Sequence, residues 1–194
     1  MSSVCYPEHM GTVPLETKRL ILRRFRRSDA PSMFRNWASD PVVTTYLMWT
    51  THTSVRETKR VLSRWVSGYS QSDHYQWAIC EKGSDDPIGS ISVVDKNNRL
   101  AMVHIGYCLG RAWQGRGYMT ECLERLIRFF FEDVKVNRIE ARFDPRNPAS
   151  GRVMAKSGMI FEGTHRQADY NNLGICDTSF YAILAADYRQ KNHG

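Results

Sequence analysis

Residues 102–143 read MVHIGYCLGRAWQGRGYMTECLERLIRFFFEDVKVNRIEARF, and their order of patterns decides the fold. A strand-like run ends at Leu109, a glycine-rich turn Gln114-Gly115-Arg116-Gly117-Tyr118 follows, and a second strand-like run spans residues 138–143. Between them Met119, Cys122, Leu123, Leu126, Ile127, Phe130 and Phe131 recur at i, i+3, i+4, i+7, which predicts a helix with one apolar stripe laid on a sheet. On its polar face Glu121 with Arg125, and Glu124 with Arg128, stand at the i, i+4 spacing that supports a helix.

The start of that helix carries the functional signal. A first turn leaves backbone N–H groups unpaired and holds the positive end of the helix dipole, so an anion is favoured there. Gly115 and Gly117 let the backbone approach such an anion closely, and Arg111 and Arg116 place positive charge at the same end. The expectation is a cradle for a diphosphate, although a lone Gly-x-Gly is more often a tight turn that binds nothing. A P-loop is excluded because Arg116-Gly117 stands where lysine and a hydroxyl are needed. A dinucleotide fingerprint would need glycine at Thr120, and Asp144 after the next strand matches only its acidic partner.

Gln114, Gly117 and Met119 occupy the places of Gln-x-x-Gly-x-(Gly/Ala), which resembles motif A of the GNAT N-acetyltransferases, binders of acetyl-CoA. Met119 departs from the small residue of the general pattern, but Gly-x-Gly-Tyr-Met resembles the RimJ/RimL branch, which acetylates protein N-termini and some other amines. The opening Thr-Lys-Arg-Leu-Ile-Leu-Arg-Arg-Phe is similar to the first strand of that branch. Asn147-x-x-Ser150, with Val153, Met154, Lys156 and Gly158-Met159-Ile160-Phe161-Glu162-Gly163, resembles its motif B. The resemblance spans residues 16–188.

What the resemblance implies is specific. The fold is an α/β (α+β) one, a mostly antiparallel sheet of about six to seven strands flanked by about four helices, with a splayed parallel pair at the cofactor. Acetyl-CoA lies along Ile105, Tyr107, Cys108 and Leu109, and its diphosphate meets Gln114, Gly115, Arg116, Gly117, Tyr118, Met119 and Thr120. Asn147 holds pantetheine and Ser150 is placed to protonate the leaving sulfur; many relatives carry a tyrosine acid where Met154 stands, so Ser150 or a water takes that task here. Asp169 matches by position a glutamate base, and its shorter side chain calls for a bridging water. Read without the resemblance, Ser150 is a helix-start serine and Asp169 a solvated loop carboxylate. His104 and Tyr107 are fallback bases. Gly106 permits a bulge or close approach, or packs under a neighbour.

Composition sets the outer bounds. The chain has 194 residues, 42% of them apolar, enough for one core and ordinary for a globular domain. Residues 1–14 lack periodicity and contain Pro7, Gly11 and Pro14, so a mobile extension is expected there, followed by one domain over 15–194. No apolar run approaches the about 18 residues of a membrane span, and no signal-peptide pattern opens the chain, which points to the cytoplasm. The five cysteines, at 5, 80, 108, 122 and 176, are scattered, which argues against a disulfide framework or zinc site; no metal is expected. Net charge is +7. Basic residues gather only at Lys18, Arg19, Arg23, Arg24, Arg26 and Arg27, read as a strand with exposed arginines and a solvated turn; no nucleic-acid partner is expected, and the positive balance suits an anionic cofactor.

Elsewhere, strands are predicted at residues 18–25, 76–81, 87–94, 160–166 and 176–184, and helices at 28–38, 54–68 and 147–157. A loop is expected at 169–174. Trp49, Trp65 and Tyr69 line a substrate groove or, more often for aromatics at helical spacing, belong to the core. The expected reaction is acetyl transfer from acetyl-CoA to a primary amine, foremost a protein or peptide α-amine. Small-amine acetylation is the second reading, a noncatalytic acyl-CoA-binding module the third, and the oligomeric state, a homodimer included, stays open.

Overall fold

The computed structural model describes residues 6–193, and its organising feature is one eight-stranded sheet in the order β1-β2-β3-β4-β5-β6-β8-β7. The strands are β1 (Leu15–Glu16), β2 (Leu20–Arg24), β3 (Gln76–Glu81), β4 (Pro87–Asn97), β5 (Met102–Leu109), β6 (Arg138–Phe143), β7 (Ile160–Asn171) and β8 (Gly174–Leu184). All neighbours pair antiparallel except β5 and β6, which run parallel across the crossover helix α4 (Tyr118–Glu132). A parallel pair requires such a crossover, and residues 110–137 supply it.

One more strand is present than expected, the two-residue β1, too short to show alternation; it pairs Leu15 with Leu22. The helices number six among the described residues: α1 (Ala30–Met33), continued by a π-helical turn at Phe34–Ala38, then α2 (Pro41–Thr44), α3 (Val55–Gly68), α4, α5 (Pro148–Lys156) and α6 (Ala185–His193). The two not foreseen are α2 and α6. The first is a single turn started by Pro41 and by Asp40, whose side chain accepts from Val42 N. β7 and β8 run on to Asn171 and Gly174, so the expected 169–174 loop shrinks to a tight turn at Asn172-Leu173.

Both faces of the sheet are covered. The α4 stripe is buried as its spacing predicts, and Phe129, off the stripe, is buried with it. Phe129 and Phe130 meet Tyr75 and Trp77 edge-on, with ring centroids 5.0–6.3 Å apart. On the opposite face Phe25, Met33, Trp37, Leu62 and Ala78 form a second cluster between α1 and α3.

The ion pairs of α4 differ from the two expected on its polar face. Glu121 turns away from Arg125 to take Arg19 at 2.8 Å, and Arg128 pairs with Glu132 instead of Glu124. Arg23, expected on a solvated strand face, is buried and held by Asp29 at 2.9 and 3.0 Å. Burial would penalise the guanidinium charge without such a partner. Residues 8–13 are hydrogen-bonded to the rest of the domain: Glu8 N donates to Val134 O (2.8 Å), Arg24 Nε to Thr12 O (2.6 Å) and Trp77 Nε1 to Val13 O (2.7 Å). Residues 1–5 of the expected extension are outside the described residues.

Phe130→Ala should cost about 3–4 kcal/mol in chemical denaturation, and Glu124→Ala on the exposed side of α4 less than about 0.5 kcal/mol. Equal losses would contradict this packing.

Candidate active site

The site begins where β5 and β6 part. Their register runs Met102–Arg138, Val103–Ile139 and His104–Glu140 and stops, leaving residues 105–109 of β5 with a free edge. Across β5 the β4 ladder shifts register between Val93 and Asp95, and a Cβ on Gly106 would meet Val94 Cγ1 at 2.8 Å. Gly106 is therefore the packing glycine, seated under a bulged valine.

Two adjoining cavities use the opening. The first, of ≈ 280 Å³, is lined by Tyr107, Cys108 and Leu109 of β5, by Gln114, Gly115, Gly117, Tyr118, Met119 and Thr120, and by the facing side of α5 from Asn147 to Lys156. The second, of ≈ 320 Å³, is lined by His104 to Cys108, by Trp49 and Trp65, and by Arg142, Asp144, Asp169 and Tyr170. They share Tyr46, Leu47, Tyr107, Cys108, Asn147 and Ser150. A groove of ≈ 800 Å³ around Ala101, Phe131 and Tyr188 lies outside the splayed stretch and gathers none of the candidate catalytic or cofactor-binding residues.

The turn into α4 is shaped for an anion. Gly115 and Gly117 have φ of +76° and +77°, a left-handed conformation that glycine adopts without strain, and no atom lies within 4 Å of where a Gly115 Cβ would stand. No side chain caps α4, so its first-turn amides are left for the cleft. The turn is fixed from outside. Glu81 accepts from Tyr118 Oη (2.6 Å) and Trp113 Nε1 (3.1 Å), Arg19 donates to Arg116 O (3.0 Å) and Glu121 Oε2 (2.8 Å), and Gln114 Nε2 donates to Leu109 O (2.9 Å).

The predicted charges are placed differently. Arg111 reaches Asp40 at 3.1 Å, and Arg116 is not among the lining residues. The cations at the cleft are Arg152 and Lys156, which glycine-turn reasoning missed, and no carboxylate lines it. Open glycines, uncapped amides and this charge balance fit a diphosphate-bearing ligand.

Ser150 and Tyr107 meet at the junction of the cavities. The Tyr107 phenol donates to Ser150 O (3.0 Å) and accepts from Ser150 Oγ (3.1 Å). Burial pushes the Tyr107 phenol well above its ordinary value, so it stays protonated. Asn147 stands at the N-cap of α5 without using its side chain as a cap. Met154 is buried in the core.

Asp169 is a strand residue opposite Cys176 rather than a solvated loop carboxylate. Its Oδ2 takes Arg142 Nε at 3.0 Å, and its side chain is 14% exposed. His104 is buried with Nδ1 3.4 Å from Glu140, a contact that, ahead of Arg138, holds the Glu140 carboxyl below its ordinary range. Trp49 and Trp65 line the second cavity, whereas Tyr69 is structural, accepting from Phe25 N (2.8 Å) and donating to Gln76 O (2.7 Å). Asn172 at the β7–β8 tip donates to Thr44 O (2.8 Å) and Trp49 O (2.9 Å), tying the segment that roofs this cavity.

Among the described residues no group of His, Cys, Asp and Glu could hold a metal ion, and no helix is long and apolar enough to cross a membrane. Cys80, Cys122 and Cys176 are buried and free, Cys108 is half-buried and free, and Cys5 is outside the described residues.

The chain is similar to known proteins in sequence and in fold. Residues 19–160 match the family model described as an acetyltransferase (GNAT) domain. The Bacillus licheniformis protein named uncharacterized N-acetyltransferase p20 is 30% identical over 176 residues, covering 90% of this chain and 97% of that protein. The ribosomal-protein-serine acetyltransferase of Escherichia coli is 32% identical over 102 residues, 52% of this chain and 56% of that one. A crystal structure of a probable GNAT-family acetyltransferase from Chromobacterium violaceum superposes with a TM-score of 0.83 at 23% identity over 97% of this chain and 94% of the other. A structure titled RimL, ribosomal L7/L12 α-N-protein acetyltransferase in complex with coenzyme A, superposes with a TM-score of 0.80 at 22% identity over 89% and 98%.

Asp144, which a dinucleotide reading would place on a ribose, is buried and engaged by Arg146 (2.6 Å) and Asn171 (2.7 Å), and its pKa falls to about 2, chiefly through Arg146. The unfolded state binds the extra proton first, so this stabilisation is complete above pH about 4 and is lost as pH falls toward 2. Asp144→Asn should remove about 2 kcal/mol at pH 7 and flatten that acid limb in urea titrations; an unchanged limb would refute the assignment.

Proposed function

The chain belongs to the GNAT acetyltransferase family, and we propose that it moves an acetyl group from acetyl-CoA to the α-amino group of a protein or peptide N-terminus. The observation that carries this reading is the Tyr107–Ser150 pair standing where an anion-shaped cleft opens into a second, aromatic cavity. When bound, acetyl-CoA supplies a thioester carbonyl open to an amine and a sulfur leaving group that needs a proton.

The residues divide that work by position. The first-turn amides of α4, with Gln114 and Thr120 beside them, hold the diphosphate, and the free edge at Ile105, Tyr107, Cys108 and Leu109 with Asn147 aligns the pantetheine arm. Ser150 Oγ turns its proton from Tyr107 to the departing sulfur and takes one back from solvent. Tyr107 has its own proton committed to the Ser150 carbonyl and serves as the acceptor that orients that hydroxyl. In the second cavity Asp169 receives the amine proton, directly or across a water, with Arg142 fixing its rotamer.

Two observations favour an N-terminus over a polyamine. The carboxylates of the second cavity, Asp144 and Asp169, each face a guanidinium, Arg146 and Arg142, so the cavity carries no unmatched negative charge to draw a polycation. Relatives named for ribosomal-protein-serine and ribosomal-protein-alanine acetylation point the same way. The same reading implies a cytoplasmic enzyme.

Purified protein should release CoA thiol with a panel of N-terminal peptides and add one acetyl to the α-amine by mass spectrometry. Ser150→Ala should lower kcat by about 10- to 100-fold and leave acetyl-CoA affinity within about twofold. Thiol release with no peptide, or an unchanged kcat in the variant, would overturn the respective assignment.

A further inference from the structure

Arg152 and Lys156 are the charged side chains lining the first cleft, and the function proposed above gives them no task. They stand at i, i+4 on α5 and therefore share one face of the helix, across the cleft from the glycine turn. Neither has a hydrogen-bond or ion-pair partner among the described residues, whereas Arg19, Arg23, Arg111, Arg128, Arg138, Arg142 and Arg146 are all in ion pairs. Two unpaired cations converging on a cavity that no carboxylate lines mark an anion subsite.

We propose that Arg152 and Lys156 bind the 3′-phosphate on the ribose of coenzyme A. The assignment rests on the reading of the cleft as the acetyl-CoA site and extends it to the far end of the ligand. Six residues of helix put Lys156 about 9 Å along the axis from Ser150, away from the chemistry. The diphosphate already has the α4 amides, which leaves the phosphomonoester as the ligand's remaining concentrated negative charge, close to two units at neutral pH. Both side chains are exposed at the cleft mouth, where long flexible cations reach a solvent-facing phosphate with little desolvation.

The test compares CoA with dephospho-CoA, which differs only in lacking this phosphate, by calorimetric titration of the wild type and the Arg152→Gln/Lys156→Gln double variant. The wild type should bind CoA about five- to tenfold more tightly than dephospho-CoA, with the preference shrinking as salt rises. The double variant should bind both ligands equally, at the wild-type affinity for dephospho-CoA, which also shows that it is folded. Equal wild-type affinities, or a preference that survives in the variant, would overturn the proposal. Equal loss of both ligands in the variant would place the cations on the diphosphate and overturn it too. If the wild type bound neither ligand, the cofactor reading itself would fail, an outcome distinct from all of these.

Discussion

The parallel ladder between β5 and β6 ends at His104–Glu140, and the site depends on that break. Each strand keeps its other partner, β5 pairing β4 to Leu109 and β6 pairing β8 to Phe143, so the sheet stays continuous while one seam opens. An interior strand edge without partners leaves donors and acceptors that must be satisfied by side chains, water or ligand. Gln114 donates to one acceptor there, the Leu109 carbonyl, and residues 105–109 line the two cavities. The seam thus exposes backbone to the cavities, and Tyr107 and Ser150 sit where the cavities join.

Rigidity around the seam comes from residues far apart in the chain. The glycine turn, left-handed at two positions and uncapped, would be a soft element by itself. It is braced by Glu81 from β3 through Trp113 and Tyr118, and by Arg19 from the β1–β2 turn through Arg116 and Glu121. Tyr118 in the first place, and Trp113, hold the Glu81 carboxyl below its ordinary range, as expected of an acid kept ionised by its donors. Amides held in place before a ligand arrives need no reorganisation on binding, which is how such a turn gains affinity.

Much of this was legible because the signals are local. β3, β5 and β6 begin and end where their patterns predict, and α4 buries the stripe that its spacing draws. The cradle and the Asn147/Ser150 start of α5 came from motifs whose spacing is also local. What the pattern hid depends on distant partners: Glu121 abandons its helical neighbour for Arg19, Arg23 is buried by Asp29, and Asp169 moves from an expected loop into β7 beside Arg142. The place of Arg152 and Lys156 at the cleft went unread for the same reason, since only the folded chain brings α5 opposite the turn. A π-helical turn and a two-residue strand leave no periodicity to detect.

The central claim is that the amides opening α4 grip the diphosphate of coenzyme A. Its most direct test is a titration of isotope-labelled protein with CoA, followed at the backbone amide resonances. The largest shifts should fall on Gly115, Gly117, Tyr118 and Met119, with smaller ones along residues 105–109. Unmoved resonances in that turn, with changes gathered instead around Phe131 and Tyr188, would contradict the account.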